Sequence, residues 1–409
     1  MANETEQQLR EKIASQKISL ARLPTLRSII DETGLTSPET KARAQLFKEL
    51  SDNEEQLELL LESERVAAVV RLQDELHPPQ NSEGCPICLE TIKHVNFMTI
   101  IRFYCCGGWI CRQCYLAEKI DEMFHGRCAL CRERIPDANN DHKEIGTMVL
   151  KHANKGRAWA QTHIGTCYLR GVNGYDLDKK KGLQFIKQAA DQRDPEALFA
   201  IAFVCKGETL ERDKSKYMYY LKDAADLGHT EAQQELALTY STHEKEKRLH
   251  YTTLAASQGD AKACGMLGAY FIYAECGLTK SLVLAKHYCE KNLEDELSAY
   301  NFSLALLQLG LERYEGIMEI PGHSPIPTIL FYERKVQEGE IHPIKGEATE
   351  LISRLESQVK NHCANCRKEA GCSSSKRCVR CLGAWYCGKE CQVQHWKAGH
   401  KIDCIKRMI

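Results

Sequence analysis

Close pairs of cysteines dominate two short segments of this 409-residue chain. The first segment contains Cys85-x2-Cys88, Cys105-Cys106, Cys111-x2-Cys114 and Cys128-x2-Cys131. The second contains Cys363-x2-Cys366, Cys372, Cys378-x2-Cys381, Cys387-x3-Cys391 and His400-x3-Cys404. Two thiolates at this spacing reach one metal ion from a tight turn, and two such pairs complete a closed, tetrahedral zinc site. The pattern therefore predicts small modules whose folds depend on bound metal.

The rest of the 21 cysteines are scattered singly, as small buried hydrophobes commonly are. A disulfide framework is the alternative, but it is typical of short secreted domains. This chain opens with the charged segment MANETEQQLR and shows no apolar export signal. No stretch approaches the roughly 20 apolar residues of a membrane helix. We therefore expect a reducing compartment, cytoplasm or nucleus, and no membrane partner.

The sequence between about residues 156 and 340 repeats itself. Alanine pairs that begin at Ala189, Ala224 and Ala255 are 35 and then 31 residues apart. Four residues before each pair stands an aromatic residue, namely Phe185, Tyr220 and Tyr251. A period of this length, with apolar residues three and four apart, indicates helix-turn-helix units. Because one unit cannot bury its own faces, the units are expected to stack into a solenoid.

This pattern resembles the Sel-one-like class of tetratricopeptide-related repeats, whose Ala, Gly, Tyr and Ala-Ala positions the copies share. The resemblance implies a mostly α fold, in which a helical-repeat solenoid is flanked by two small zinc-stabilised modules. We expect a helical arm at 1–79, a zinc module at 80–136 and repeats at 150–320. A connector and linking helix at 321–361 and a second zinc module at 362–409 complete the predicted organisation.

Within the arm, Ser51 followed by Glu54 has the spacing of a capping box and predicts a helix that begins there. This helix is either a packing or solvated arm, or a self-associating coiled coil. No strict heptad is sustained, which favours the packing interpretation. The Pro-containing run from Pro78 to Gly84 is expected to be a linker.

Segment 85–131 resembles a RING finger, in which the first and third cysteine pairs hold one zinc ion and the second and fourth pairs hold another. On that resemblance one site is formed by Cys85, Cys88, Cys111 and Cys114, and the other by Cys105, Cys106, Cys128 and Cys131. The commonest RING pattern has a His where this chain has Gly108. The fourth ligand of the second site is therefore left open among Cys105, Cys106 and His125.

RING domains dock a ubiquitin-conjugating enzyme and supply no nucleophile of their own. The resemblance assigns this docking contact to Ile87 and to Arg132, the latter at a position that steadies the loaded ubiquitin. Against it, the family's usual Pro is Ala129, and the loop after Cys114 has no Trp. The alternative is that Ile87 only packs beneath the zinc loop and that Arg132 is a solvated charge.

Segment 363–404 resembles a MYND finger in the runs CANC, RCVRC and YCGKECQVQHWKAGHKIDC. The family's interleaving assigns one zinc ion to Cys363, Cys366, Cys387 and Cys391, and another to Cys378, Cys381, His400 and Cys404. Cys372 and His395 are left as non-ligands. With both modules loaded, the chain is expected to bind four zinc ions.

The MYND family binds proline-containing peptides, and the resemblance places Gln392 and Trp396 in the peptide groove. An exposed Trp on a rigid backbone is a suitable anchor. The alternative is that Trp396 only fills a very small core. Residues 362–409 carry ten Lys and Arg against three Asp and Glu. They lack aromatic stacking positions, however, which argues against a nucleic-acid partner.

We find no phosphate-binding Gly-rich loop, no nucleophile with a credible base and no three-ligand zinc site. The SET domain that surrounds MYND fingers in lysine methyltransferases is not expected, since only five residues follow Cys404. The sequence therefore predicts a zinc-binding adaptor that assists ubiquitin transfer to a client as a RING-type ligase. The alternative is a non-catalytic scaffold whose repeats and MYND finger bind proline-containing peptides.

Overall fold

The computed structural model describes residues 5–78, 83–92, 95, 99–117, 126–137, 141–207, 213–339, 342–368 and 376–405. Its first helices are α1 Glu6–Ala21, α2 Leu26–Thr33, α3 Pro38–Leu76, α4 Arg112–Ala117, α5 His142–Asn154, α6 Ala158–Arg170, α7 Lys179–Ala190, α8 Pro195–Lys206 and α9 Lys214–Asp226. They are followed by α10 Thr230–Thr239, α11 Lys245–Ser257, α12 Ala261–Tyr273, α13 Leu282–Cys289, α14 Glu296–Arg313, α15 Ile326–Glu338, α16 His342–Lys360, α17 Lys389–His395 and α18 Lys401–Asp403. Three short antiparallel hairpins pair β1 Glu83–Gly84 with β2 Thr91–Ile92, β3 Ile100–Arg102 with β4 Trp109–Cys111, and β5 Lys376–Arg377 with β6 Trp385–Tyr386.

The chain divides into two compact units, which are described separately. Unit 1 contains residues 1–65 and 261–409, and unit 2 contains residues 66–260. The mostly helical fold class is confirmed, because helical pairs make up most of both units and each unit carries cysteine-rich modules. Among the described helices, none combines the length and the apolar character that crossing a membrane requires.

The repeats are pairs of helices that pack against their neighbours in sequence. In unit 2, α6 packs on α7, α8 on α9 and α10 on α11; in unit 1, α12 packs on α13 and α14 on α15. The alanines of the repeated pairs lie at these contacts, and Ala189, Ala224 and Ala255 are fully buried. Small side chains there allow the helices of a pair to approach closely.

The turns before α6, α8, α10 and α12 each contain one residue in the left-handed region. The left-handed residues before α6, α10 and α12 are glycines, Gly156 at φ 77°, Gly228 at φ 87° and Gly259 at φ 87°. Before α8 the same position is Arg193 at φ 60°. A left-handed conformation costs a non-glycine residue about 1–2 kcal/mol. Arg193 is therefore the exception in an otherwise glycine-based turn.

Helix α3 differs from the prediction for the arm. It starts at Pro38, and Ser51, which was predicted to cap it, is buried in the middle of the helix. The hydroxyl of Ser37 accepts a hydrogen bond from the Thr40 amide (3.0 Å), and Pro38 occupies the first turn, where its missing N–H costs nothing. The prediction of a start at Ser51 was wrong because this earlier signal is stronger and nothing after it breaks the helix.

Within unit 1, α3 packs rather than standing free. Ala44 and Phe47 join an apolar cluster with residues of α2 and with Tyr314, Ile317 and Ile320. Further along, Glu55 pairs with Lys286 at 2.8 Å, and Glu62 accepts a hydrogen bond from the Tyr288 hydroxyl at 2.6 Å. These contacts favour the packing interpretation over a self-associating coiled coil for this part of the helix.

In unit 2, the N-terminal zinc module packs against the first repeat helices. Tyr104 of the module joins the apolar cluster of α5 and α6 and stacks on Trp159, with ring centroids 6.5 Å apart. The Arg102 guanidinium lies 4.9 Å from the centre of the Trp159 ring. The carbonyl oxygen of Cys105 lies 3.4 Å from Nε2 of His152. The module is thus fixed to the repeats through its β3–β4 hairpin.

In unit 1, the C-terminal module packs against α15 and α16. Trp385 contacts the apolar cluster formed by these helices. Glu356 of α16 binds Arg334 of α15 at 2.6 Å and Arg377 of the module at 2.5 Å. Gly399, at φ 145°, lies so close to the Pro321–Gly322 backbone that a Cβ atom would stand 2.7 Å from the Gly322 nitrogen. Only glycine permits this close approach.

Candidate metal centres

Four turns of one kind present most of the paired cysteines. Each turn begins at a cysteine whose carbonyl accepts a hydrogen bond from the amide four residues later, at 2.8–2.9 Å: Leu89 to Cys85, Arg132 to Cys128, Arg367 to Cys363 and Leu382 to Cys378. Each of the donating residues has a positive φ, between 54° and 65°. We call these turns knuckles. In each knuckle the chain folds back so that the two cysteines of a Cys-x2-Cys pair can reach one ion.

The first centre joins the first knuckle to strand β4 and helix α4. It contains Cys85, Cys88, Cys111 and Cys114, whose sulfur atoms all lie within 4.8 Å of one another. The separations are 4.0 Å between Cys85 and Cys114 and 3.8 Å between Cys88 and Cys111. Four sulfurs bound to zinc at 2.3 Å in a tetrahedron lie about 3.8 Å apart. The donor set and its spacing therefore fit zinc.

The second centre uses both adjacent cysteines. The sulfur atom of Cys106 lies 3.8 Å from that of Cys128, and the sulfur atom of Cys105 lies 3.4 Å from that of Cys131. All four sulfurs lie within the same 4.8 Å limit. His125, the alternative ligand, lies outside the described residues. A four-sulfur set therefore forms without a histidine.

A fifth turn explains how adjacent cysteines can serve one centre. Phe103 stands where the other knuckles begin with cysteine, and its carbonyl accepts the Gly107 amide at 2.8 Å. Gly107 has the positive φ of the knuckle, 75°. Cys106 thus stands where the other knuckles have their second cysteine. Cys105 supplies the sulfur that Phe103 lacks. Sequence spacing missed this turn because its first position is not a cysteine.

The third and fourth centres lie in the C-terminal module. The third contains Cys363, Cys366, Cys387 and Cys391, and the fourth contains Cys378, Cys381, His400 and Cys404. The sulfur atoms of Cys366 and Cys387 are 3.7 Å apart, and the sulfur atom of Cys381 lies 3.6 Å from Nε2 of His400. All four groups of the fourth centre are buried, which matches a closed structural site without a place for substrate.

His395 stands beside the fourth centre without joining it. Its ring stacks on that of His400 with centroids 4.7 Å apart, and its Nδ1 atom lies 3.0 Å from the Tyr386 hydroxyl. Burial, with His400 nearby, lowers the pKa of His395 to about 3, so the ring is neutral. It therefore positions the ligand ring by packing. Cys372 lies outside the described residues.

Local hydrogen bonds prepare one thiolate in the first and third centres. Burial opposes ionisation of Cys85, but amide donors from Cys111, Cys88 and Ile87 outweigh it and lower its pKa to about 6. Similar amide donors act against burial at Cys363 and lower its pKa to about 7.

The second and fourth centres also pair an acidic thiol with less acidic neighbours. In the fourth, a hydrogen bond from Cys381 is the main cause that lowers the pKa of Cys378 to about 3. In the second, burial and the nearby Cys131 sulfur raise the pKa of Cys105. Several thiolates this close repel one another, so full ionisation requires a bound cation. Soft, closed donor sets of this kind select zinc among common divalent ions.

The residues predicted to contact partners lie near these centres. Ile87, between two ligands of the first centre, is 40% exposed, and its neighbour Leu89 is 81% exposed. Arg132 is the left-handed residue of the second knuckle. Gln392 lies on α17, and Trp396 directly follows this helix, one turn after Gln392, because the Trp396 amide donates to the Gln392 carbonyl. Trp396 is 38% exposed.

Comparison with known proteins identifies the C-terminal module. Residues 363–404 match the family model of the MYND finger. The MYND finger is therefore the part of this chain whose family is established. The match leaves the RING-type resemblance of the N-terminal zinc module as a prediction.

Two curated proteins are similar to this chain over short stretches. Ubiquitin carboxyl-terminal hydrolase 16 of Arabidopsis thaliana is 42% identical over 43 residues, which cover 10% of this chain and 4% of that protein. Programmed cell death protein 2 of Bos taurus is 53% identical over 36 residues, which cover 9% of this chain and 10% of that protein. The chain thus spans a small fraction of either relative.

Two solved structures show distant similarity. The Sel1 repeat protein from Oxalobacter formigenes is 17% identical, with a TM-score of 0.41 over 53% of this chain and 85% of that chain. A protective antigen of uropathogenic Escherichia coli with an SLR fold is 16% identical, with a TM-score of 0.40 over 52% of this chain and 45% of that chain. These TM-scores are low, and the helical-repeat architecture rests on the packing of this chain's own helices.

Proposed function

We propose that this protein is a zinc-stabilised protein-interaction adaptor and that its MYND finger docks proline-containing peptides on α17. The observation that carries the proposal is the exposure of Trp396, 38%, beside His395 at 4% and His400 at 2%. Buried neighbours hold the backbone, so the exposed Trp is presented by a rigid support. Such an aromatic side chain buries a large area on binding at a low entropic cost.

The placement of the finger leaves this surface accessible within unit 1. Trp385 and Arg377 of the β5–β6 hairpin contact α15 and α16. In contrast, Val393 of α17 and Trp396, which directly follows α17, are exposed. Gln392 lies one turn before Trp396 and is half-buried. A Gln amide beside an exposed indole can hydrogen-bond a peptide carbonyl, while the indole packs on proline.

Replacing Trp396 with alanine is expected to weaken binding of a proline-containing peptide at least tenfold, because truncation of a central aromatic anchor costs about 2 kcal/mol or more. Isothermal titration of the full-length, zinc-loaded protein with a set of proline-containing peptides measures this. Gln392→Ala is expected to have a smaller effect in the same direction.

Val379→Ala is the matched control, because Val379 is 86% exposed on the same finger but lies on a zinc knuckle. It is expected to leave affinity unchanged. Equal affinity of Trp396→Ala and the native protein, with full zinc content in both, would contradict the proposed groove.

A second candidate function is assistance of ubiquitin transfer to a client that the repeats and the MYND finger hold. The observation that favours it is an exposed apolar surface on the first knuckle, formed by Ile87 and Leu89. Exposed apolar side chains next to a rigid zinc loop suit docking of another protein. The rival is a scaffold without transfer activity, in which the N-terminal zinc module serves only as an interaction surface.

The two candidates differ in the outcome of an autoubiquitination assay. Because Tyr104 anchors the zinc module in the repeats, the assay uses the full-length protein with a panel of conjugating enzymes. Ile87→Ala is expected to reduce product formation at least tenfold. Arg132→Asn is expected to reduce it as well, and asparagine tolerates the left-handed backbone of this position, φ 65°.

Arg367→Asn provides a control for Arg132→Asn, because Arg367 is the left-handed residue of the corresponding knuckle in the MYND finger. It is expected to leave ubiquitin transfer unchanged. A native protein that forms no product with any enzyme of the panel, while a known RING ligase does, decides for the scaffold.

A further inference from the structure

The four metal centres differ in how far solvent reaches their ligands. In the fourth centre all four ligand residues are buried. The first and second centres each have one exposed cysteine, Cys88 and Cys131. The third centre has two, Cys366 and Cys387, and its Cys391 is half-buried. Among the centres that the described residues form, the third is therefore the most open to small molecules in solution.

The two exposed cysteines of the third centre are also neighbours. Their sulfur atoms, those of Cys366 and Cys387, lie 3.7 Å apart. The exposed cysteines of the first two centres have less exposed neighbours: Cys111 for Cys88 at 3.8 Å, and Cys105 for Cys131 at 3.4 Å. A disulfide requires two sulfur atoms that can approach to about 2 Å. In the third centre this requirement and access from solvent are met by the same two residues.

The chemical state of a zinc ligand makes this exposure matter. Cysteine binds zinc as the thiolate, which is also the form that reacts with oxidants. Among thiolates, exposure to solvent favours oxidation, and a second sulfur nearby captures the oxidised one as a disulfide. A buried, closed set such as the fourth centre is shielded from such reagents. The exposed pair Cys366 and Cys387 thus combines the two features that mark a site of oxidation.

We propose that Cys366 and Cys387 form a site of oxidative modification, at which hydrogen peroxide converts the two thiolates into a disulfide and the third centre loses its ion. One thiolate attacks a peroxide oxygen; a sulfur–oxygen bond forms, the oxygen–oxygen bond breaks and hydroxide leaves. The other thiolate attacks the resulting sulfenic sulfur; the disulfide forms and a second hydroxide leaves. Two protons from solvent convert both hydroxides to water. The sulfur pair loses two electrons, and the peroxide gains them.

The third centre also holds the start of helix α17. Cys387 stands just before this seven-residue helix, and Cys391 lies in its first turn, so two ligands of one ion flank the start of the helix. Gly388 between them has no side chain that could cap the helix. A helix this short is unstable on its own. Loss of the ion is therefore expected to unfold the first turn of α17.

Oxidation of this one pair is expected to affect the whole MYND finger. The ligands of the third and fourth centres alternate along the chain, so the segments that hold one ion also enclose the other. We expect the finger to lose both of its ions once the disulfide has formed. The modification site does not depend on the proposed peptide groove, because it requires no bound partner.

Limited oxidation of the full-length, zinc-loaded protein with equimolar hydrogen peroxide tests this site. Native mass spectrometry counts the ions, and tandem mass spectrometry of proteolytic peptides locates the disulfide. We expect the bond between Cys366 and Cys387 to be the first product, with loss of two of the four zinc ions. Amide hydrogen exchange of residues 99–117 is expected to stay slow, because the N-terminal zinc module keeps its ions. Reduction followed by added zinc is expected to restore all four.

Cys366→His removes one sulfur of the pair but keeps a set of four ligands, since zinc sites with three cysteines and one histidine are common. It is expected to bind four ions and to release zinc to an indicator dye about fivefold more slowly than the native protein in the same peroxide, because a less exposed sulfur must then react. Cys88→His is the matched control, with the same change at the exposed second cysteine of the first knuckle. It is expected to release zinc at the native rate.

The location of the first disulfide decides the result even if Cys366→His fails to bind four ions. A first disulfide between any other two cysteines, including Cys387 with Cys391 or Cys105 with Cys131, overturns the proposal. Retention of all four ions in peroxide overturns it as well. So does equal zinc release from native and Cys366→His proteins that both start with four ions.

Discussion

Replacing Cys378 with serine is expected to reduce the zinc content of the protein from four ions to two and to unfold the MYND finger. The buried cluster of the finger consists largely of its ligands, Cys378, Cys381 and Cys404, with Ala384 and Tyr386. Without metal this cluster is too small to hold the segment together. Structural zinc contributes roughly 10–16 kcal/mol to the folding of comparable zinc-finger peptides. Because the loops of the third and fourth centres interleave, loss of one ion is expected to release the other.

Native mass spectrometry counts the ions, and amide hydrogen exchange of residues 376–405 reports the fold of the finger. Cys167→Ala is the matched control: this cysteine is buried in α6, outside all four centres. It is expected to retain four ions and to lose about 1 kcal/mol of stability, as small deletions in a core do. A Cys378→Ser protein that keeps three ions and a protected finger would show that the two centres fold independently.

The metal centres are the part of this molecule that sequence predicts best, and the reason is local. A Cys-x2-Cys pair closes its own turn, so spacing indicates that the two sulfurs of one pair point together. Which pairs combine into one site was implied by the resemblance to RING and MYND fingers. The structure brings together the four predicted sets, including Cys105 with Cys106. It also shows what spacing cannot: Phe103 begins a knuckle without being a ligand, because a turn depends on backbone hydrogen bonds that any side chain permits.

Predictions were weaker where distant residues decide the outcome. The start of α3 was misplaced because Ser51 and Glu54 have the spacing of a capping box, although Ser37 and Pro38 begin the helix thirteen residues earlier. The packing of Tyr104 on Trp159, and of Trp385 on α15 and α16, joins residues far apart in sequence. Alternating patterns of apolar residues carry no information on such contacts, and neither does residue spacing.

A buried acid in unit 1 gives the second large effect. Glu333 of α15 is fully buried, and neither of its carboxylate oxygens has a hydrogen-bond partner among the described residues. Burial raises its pKa to about 7; Glu347 of α16 adds to the increase, and the Ser303 hydroxyl of α14 opposes it. Glu347 itself accepts a hydrogen bond from the Tyr300 hydroxyl of α14. A second negative charge here is therefore unfavourable.

This raised pKa makes the packing of α14, α15 and α16 dependent on pH. The unfolded chain releases the proton of a Glu side chain near pH 4.5, whereas the folded protein retains it up to about pH 7. The stabilising contribution is complete below the lower value and is lost as pH rises through the higher one. Between pH 6 and pH 8 we expect a loss of about 1.4 kcal/mol.

Glu333→Gln is expected to abolish this dependence, because glutamine does not titrate. Amide hydrogen exchange of residues 326–338, compared between native and variant protein at the same pH, removes the intrinsic pH dependence of exchange. The ratio of native to variant protection is expected to fall about tenfold from pH 6 to pH 8, which corresponds to about 1.4 kcal/mol. Glu338→Gln, which changes an exposed acid on the same helix, is expected to leave the ratio constant.

A ratio that stays constant for Glu333→Gln as well would mean that Glu333 is ionised in the folded protein throughout this range. The charge would then need a compensating partner inside the α14–α16 packing. The native protein would also show no loss of stability from this group as pH rises, so the same experiment decides whether burial or a hidden partner governs this part of the core.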